Sequence, residues 1–265
     1  MTINMRVKTV LPVFVALTSL VLWSGCRSRT VTVHGPGLNI LPQVILWAWE
    51  RPEDLEFLDP QRFGVAFLSQ TLVLEGNAVR VYPRHQPLKL SPQTKLIAVT
   101  RIEAQKTRSS RPDLTAGQED KLVVLILKTL ELPNVLAIQV DFDAATSERT
   151  FYASLLQRLR ERLPQNVPLS ITALASFCVG DRWLSGLPVD EAIPMTFRMG
   201  ADNNKIRTLL AKGNDFREPL CQRSYGFALD EPVNMSLDGS RRLYLFNSAP
   251  WTAQDLLAFQ ERLRQ

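Results

Sequence analysis

Eight short apolar runs, rich in β-branched and aromatic residues, recur between Gln43 and Asn247: QVILWAW, FGVAFLSQ, KLIAVTRIE, VLAIQVDFD, LSITALAS, EAIPMTFR, SYGFALDE and RLYLFN. Their length and composition are those of strands buried on both faces. Several of the gaps between them carry helical spacing. TAGQEDKLVVLILKTLEL opens at Thr115 with Gln118 three residues on, the spacing of a capping box. SERTFYASLLQRLRERL brings Phe151, Leu155, Leu156 and Leu159 to one helical face. NKIRTLLAKG ends in a glycine suited to a C-cap, and Thr252 is a fitting N-cap for TAQDLLAFQERLR. Strands alternating with helices pair in parallel through βαβ crossovers. Eight such units predict an α/β fold, a (β/α)8 TIM-like barrel, for which roughly 250 residues is typical.

Two gaps depart from the pattern. TLVLEGNAVRVYP, between the second and third runs, reads as a hairpin turning at Gly76-Asn77, and the gap after SYGFALDEP is short. The barrel is therefore expected to be irregular around strands 2–3 and 7–8, with an open doubly wound sheet as the alternative. The N-terminus reads separately. MTINMRVK is a short basic region, and TVLPVFVALTSLVLWSG is an apolar core of signal-peptide length. Ser24-Gly25-Cys26 after it resembles the lipobox of bacterial lipoproteins, although Trp23 stands where a Leu-like residue is usual. That resemblance implies cleavage before Cys26 and its lipidation. The expected organisation is a signal peptide over 1–25, a lipidated cysteine and tether over 26–41, and a barrel domain over 42–265 with a hairpin insertion at about 71–94.

Charge and composition exclude more than they assign. The formal charge is +5, but Arg6 and Lys8 precede the cleavage point, so the processed chain carries 29 − 26 = +3. The remaining charges are interleaved, with no basic stripe among aromatics, which argues against a nucleic-acid partner. The two histidines, His34 and His85, are isolated, so a zinc site or a His-activated nucleophile has nothing to build on. No metal and no cofactor is expected. With Cys26 lipidated, Cys178 and Cys221 are left either as a disulfide or as two buried thiols.

The polar groups collect at the ends of the runs. In a parallel barrel reactive side chains sit at the C-terminal strand ends, and here those ends hold Glu50, Gln70, Arg101, Glu103, Asp141, Asp143, Arg198, Asp230, Glu231 and Asn247. Alternation sharpens this. Gln139, Asp141 and Asp143 share one face, while Ile138, Val140 and Phe142 share the other and can pack under helices. By the same logic Arg101 and Glu103 share a face, as do Thr196 and Arg198, and Trp47 and Trp49 take the lumenal side of the first strand. Two carboxylates about 7 Å apart on one strand repel, which favours one holding its proton while the other is charged. Aromatic platforms, arginines and such a carboxylate pair are what glycoside hydrolysis requires. The alternative is a structural network in which Asp141 and Asp143 pair with Arg101 and Arg198.

Together, the lipobox, ILWAWERPED, IQVDFDA, DEAIPMTFRMG and GFALDEP resemble a bacterial domain-of-unknown-function family (DUF3142-like) of predicted lipoproteins, regarded as glycoside-hydrolase-like TIM barrels. The resemblance covers most of residues 41–248 and implies a barrel and an exported protein. A looser resemblance runs to the chitinase-type barrels, whose fourth strand ends in Asp-x-Asp-x-Glu with the glutamate as acid. Asp141 and Asp143 match the aspartates, but Ala145 stands at the glutamate position and Glu148 follows three residues later, where a helix N-terminus favours an acid anyway.

The leading expectation is an exported, lipid-anchored glycoside-hydrolase-like barrel, a bacterial membrane lipoprotein facing the periplasm or cell exterior and acting on an envelope or extracellular polysaccharide. Asp141, Asp143, Glu103 and Glu231 are the expected catalytic carboxylates. Trp47, Trp49, Arg101, Arg198, Asp230 and Asn247 are the expected substrate-binding residues. A non-catalytic glycan-binding lipoprotein is the alternative. A third reading, VDFD as the metal-binding motif of a nucleotide-sugar transferase, conflicts with export.

Overall fold

Strands with no polar face need cover on both sides, which a closed parallel sheet wrapped by helices supplies. The computed structural model describes residues 37–233 and 235–262. In chain order its strands are β1 (Val44–Ala48), β2 (Glu53–Asp54), β3 (Phe63–Glu75), β4 (Ala78–Pro83), β5 (Leu88–Lys89), β6 (Leu96–Ala104), β7 (Val135–Asp141), β8 (Leu169–Leu174), β9 (Glu191–Met195), β10 (Ser224–Ala228) and β11 (Arg242–Phe246). Its helices are α1 (Ala116–Lys128), α2 (Arg149–Arg162), α3 (Ala175–Val179), α4 (Asn203–Ala211) and α5 (Ala253–Arg262).

β1 pairs in parallel with β11 on one side and β3 on the other, which closes the ring β1-β3-β6-β7-β8-β9-β10-β11 into an eight-stranded parallel barrel. That closure excludes the open doubly wound sheet. Each of the eight apolar runs supplies one barrel strand. Helices follow β6, β7, β8, β9 and β11, whereas the connections after β1, β3 and β10 carry no α-helix; the last two match the hairpin-like and short gaps, and the one after β1 was not expected.

β3 is the unusual strand. Phe63–Phe67 pair with β1, and the antiparallel pairing of Gln70–Glu75 with β4 turns through Gly76 at φ 51°. Between these parts the register with β6 shifts at Leu68/Gln70. Such a bulge changes which face a side chain takes. Before it Ala66 and Leu68 face the lumen; after it Leu72 and Leu74 face the helices. Gln70 accordingly leaves the lumen and donates to Thr100 Oγ1 and the Leu125 carbonyl, both at 3.0 Å.

Local signals hold elsewhere. Thr115 and Gln118 form the reciprocal capping box of α1, Gly213 closes α4 at φ 79°, and Phe151, Leu155, Leu156 and Leu159 are buried along α2. At Gly226 a Cβ would lie 2.8 Å from the Pro194 carbonyl oxygen, so only glycine allows β10 to approach β9 there. Cys178 and Cys221 are joined in a disulfide with Cα atoms 5.8 Å apart, linking α3 to the turn before β10. Among the described residues, no helix is long and apolar enough to cross a membrane. The proposed signal peptide, the lipobox with Cys26, and His34 lie outside the described residues.

The N-terminal end of the lumen is tied by charge. Glu191 is fully buried, accepts from the Tyr244 hydroxyl at 2.5 Å, and lies 3.2 Å from Arg242 Nη1. Arg242 Nε and Nη2 also donate to the carbonyls of Pro42 and Leu38, at 3.0 and 2.8 Å. Removing one partner of a buried pair strands the other without solvent, which typically costs about 3–5 kcal/mol. Arg242→Met is therefore expected to lower the unfolding free energy by about that amount, read from urea unfolding; an unchanged midpoint would mean the network does not hold the barrel end.

Candidate functional site

The C-terminal ends of β1, β6, β7, β8, β9 and β11 converge on one mouth. Asp141 is the last residue of β7 and lies in register with Arg101 of β6. It is 8% exposed, accepts from the Thr172 hydroxyl at 2.6 Å through Oδ1, and has Oδ2 3.7 Å from Arg101 Nη1. Arg101 Nε in turn donates to Glu103 Oε1 at 2.9 Å. Burial pushes the Asp141 carboxyl above its ordinary value, and the nearby Asp143 and Glu103 charges push the same way. The Thr172 hydrogen bond and Arg101 pull it back without cancelling the rise. Asp143 differs. It lies beyond the strand, is exposed, and makes no hydrogen bond or ion pair among the described residues.

Two adjoining cavities share Arg101, Asp141 and Asp143. One, of about 310 Å³, has an aromatic wall. Trp47 is fully buried and stacks on Phe246 at 4.9 Å, while Trp49 and Phe197 extend the same patch at 5.4 Å from Trp47 and 4.7 Å from Phe246. Thr172, Met195, Arg198 and Asp202 complete that half. The other, of about 370 Å³, is polar and runs past Glu103, Gln105, Lys106 and Glu148. Both volumes lie in the range of small-molecule pockets, about 300–1,000 Å³.

Of the residues singled out from the sequence, Asp141, Asp143, Glu103, Arg101, Trp47, Trp49 and Arg198 line this mouth. Three do not. Glu231 is drawn to Arg207 and accepts from the Arg198 backbone N–H; Asp230 pairs with Arg198 at 2.9 Å outside the cavity lining; Asn247 is 7% exposed, donates to Asp255 of α5 and accepts from the Ala249 N–H in its own loop. Thr196 and Arg198 do not share an inward strand face either. β9 ends at Met195, Thr196 donates to the Gly226 carbonyl, and Arg198 reaches the mouth through a backbone at φ 49°. Glu148 places Oε2 2.7 Å from the Ala145 N–H, as a capping acid does. Sequence reasoning missed Thr172, Phe197, Phe246 and Asp202. Alternation along LSITALAS and RLYLFN carries the first and third, since Thr172 and Phe246 stand two places after lumenal positions. Among the described residues, no group of three or more His, Cys, Asp or Glu side chains is arranged to hold a metal ion.

The raised Asp141 fixes the sign of a pH effect. Between the ordinary aspartate value, 3.8, and the higher folded one, the native state binds the proton more tightly than the unfolded chain. Stability contributed by this group is therefore present at low pH and is lost as pH rises through that window. Asp141→Asn should remove this part of the slope, so that the difference in unfolding free energy between the two proteins shifts toward the variant with rising pH. Denaturant unfolding across acidic to neutral pH measures it; parallel curves would show that Asp141 is not desolvated.

No curated protein matches the sequence. The catalytic domain of a family GH18 chitinase from the fern Peteris ryukyuensis superposes with a TM-score of 0.52 at 10% identity, over 83% of this chain and all (100%) of that one. The Bacillus cereus spore cortex-lytic enzyme SleL gives 0.45 at 16% identity over 71% of this chain, which spans only 51% of SleL. The chitinase domain of the Clostridium difficile spore coat protein CotE gives 0.43 at 10% identity, over 77% of this chain and 64% of that one. The fern domain establishes likeness of fold. Residues 92–192, the segment that supplies Arg101, Asp141, Asp143 and Thr172 to the mouth, match the family described as Domain of unknown function (DUF3142).

Proposed function

We propose that this chain is an exported, lipid-anchored glycoside-hydrolase-like protein that cleaves an envelope or extracellular polysaccharide. The observation that carries the reading is the pair of unlike aspartates, Asp141 buried and raised, Asp143 exposed and unpaired, at the edge of an aromatic-walled cavity. Two carboxyl groups in different environments provide an acid and a base at one pH. Glycoside hydrolysis asks for both: an acid to protonate the leaving oxygen and a carboxylate to activate water or stabilise the cationic sugar. Asp141, buried and raised, is suited to donate the proton, and Asp143, open to solvent, is the second carboxylate. Trp49, partly exposed and backed by the buried Trp47 and Phe246, offers apolar surface to the C–H face of a sugar ring.

Further support concerns the compartment. A disulfide such as Cys178–Cys221 suits an oxidising environment, and the first 26 residues read as an export and lipidation signal. The anchor would leave the glycan as substrate and the membrane as attachment, with no nucleic acid involved.

A second reading, a glycan-binding protein without turnover, is favoured by Ala145. The acid of chitinase-type barrels would stand there, and the nearby Glu148 is engaged with the Ala145 backbone. The two readings separate in one experiment. Chitin oligosaccharides are the first probes, since the fern neighbour is described as a chitinase; other envelope glycans follow. Release of reducing ends is expected, with Asp141→Asn and Asp143→Asn each lowering kcat/KM by about 10²–10⁴-fold and Trp49→Ala acting mainly on KM. Calorimetric binding without any reducing-end release would establish the binding protein, and turnover unchanged in both aspartate variants would refute the catalytic assignment.

A further inference from the structure

Beyond the barrel rim the sheet does not stop. β3 and β6 run on past their pairing with β1 and β7, and β4 joins them, so a small sheet stands above one side of the mouth. Its two faces differ. Val79 of β4 is buried with Leu72, Leu74 and Ile102 against the helical layer. Gln118 of α1 donates to the carbonyls of Gly76 and Ala78 at 3.0 and 3.1 Å, which braces the hairpin from behind. By alternation Arg80 and Tyr82 take the other face, together with Thr71, Arg101 and Glu103. That face looks across the mouth, since Arg101 and Glu103 line it.

Tyr82 has a particular place on this face. Register runs from Tyr82 to Thr71, from Thr71 to Arg101 and from Arg101 to Asp141. Three strand spacings therefore separate Tyr82 from the candidate acid, about 14 Å along the sheet. The far end of β4 is fastened above the end of β1. Arg84 donates to the Trp49 and Arg51 carbonyls, each at 2.6 Å, and Glu50 accepts from the His85 and Gln86 N–H groups at 2.8 and 3.1 Å. Tyr82 lies two residues from Arg84, so it stands beyond Trp49 on the line that Phe246 and Trp47 begin. Exposure rises along that line: Trp47 is buried, Trp49 is half-buried and Tyr82 is 54% exposed. A lone tyrosine on a surface needs no explanation. One that continues an aromatic row out of a cavity, on a braced face shared with the candidate acid, does.

We propose that Tyr82 is an outer sugar-binding platform. A polysaccharide seated at Asp141 and Asp143 leaves the cavity past Trp49 and lays a further ring on Tyr82. The inference rests on the glycan reading above and gives the bound chain a direction. The phenol ring supplies an apolar face and its hydroxyl a polar tip, as a sugar ring requires. Arg80, paired with Glu75 at 2.6 Å, adds polar groups beside it. A disaccharide held at the carboxylates does not reach Tyr82, whereas a hexasaccharide does. Chain length therefore enters affinity through this residue.

Calorimetry on the detergent-solubilised full chain tests this with a chitin disaccharide and a chitin hexasaccharide, or with the same two lengths of whichever envelope glycan binds. The hexasaccharide is expected to bind more tightly. Tyr82→Ala should weaken it by about three- to tenfold and leave the disaccharide unchanged. Tyr82→Gln serves as a second variant if Tyr82→Ala melts early. Tyr82→Phe, which keeps the ring, should retain affinity for both lengths. Val81→Ala, at an exposed neighbour on the opposite face, should change neither. Equal loss for both lengths in Tyr82→Ala, no loss for either, or a loss in Tyr82→Phe as large as in Tyr82→Ala overturns the platform and leaves the glycan reading standing. So does a hexasaccharide that binds the unaltered chain no more tightly than the disaccharide. Absence of binding by every glycan overturns both.

Discussion

The site exists because β1 is hydrogen-bonded on both sides. A five-residue strand joins β11 to β3, and with it an array of parallel strands becomes a ring. Parallel closure sends every strand in the same direction, so residues far apart in sequence end at one mouth. Trp47 from the first strand and Phe246 from the last stack at 4.9 Å only because those strands are neighbours. The opposite end is secured by a buried ion network that ties β9 and β11 to the incoming chain. The buried ion network and the candidate site thus occupy opposite ends of one lumen, with an apolar layer of Ile45, Ala66, Ile97, Val99 and Ile193 between them.

Within the mouth, solvent exposure decides what each ion pair does. Arg101 and Glu103 are both substantially exposed, and such a pair contributes about 0–1 kcal/mol to folding. Its larger consequence is local. It directs the guanidinium to within reach of Asp141 while leaving that carboxyl without full neutralisation. Desolvation outweighs the Thr172 hydrogen bond and the arginine together, and the carboxyl of Asp143, two residues on and past the strand end, stays free in solvent. Two chemically identical groups are separated by depth alone.

Much of this was legible in the residues, and the failures share a cause. The barrel followed from eight apolar runs because burial on both faces leaves few alternatives. Asp141 followed from alternation, which holds while a strand remains a strand, and Asp143 reaches the same mouth from just past the strand end. Alternation misled at Thr196 and Arg198, where β9 had already ended and a positive φ redirected the chain. The rule that strand-end polar groups face the mouth failed at Gln70, where one extra residue in β3 turned the side chain toward α1. Asp230, Glu231 and Asn247 stood at strand ends like the others but were claimed by Arg198, Arg207 and their own loop. Partners in distant loops leave no periodic trace. The aromatic wall was half visible for a similar reason: Trp47 and Trp49 lie on one strand, whereas Phe197 and Phe246 join them only through the closed ring.

The bulge in β3 has a consequence for how this molecule can vary. Up to Phe67 the strand is bound by β1; from Gln70 it forms a hairpin with β4 while still pairing with β6. One continuous backbone therefore serves two structural units, and the odd residue between them decouples their side-chain phases. The inner strand of that hairpin also holds β6 in register, with Thr71 opposite Arg101 and Val73 opposite Glu103. Changes confined to the outer strand β4 leave the barrel pairing in place, whereas changes in the inner strand act on the backbone that carries the mouth.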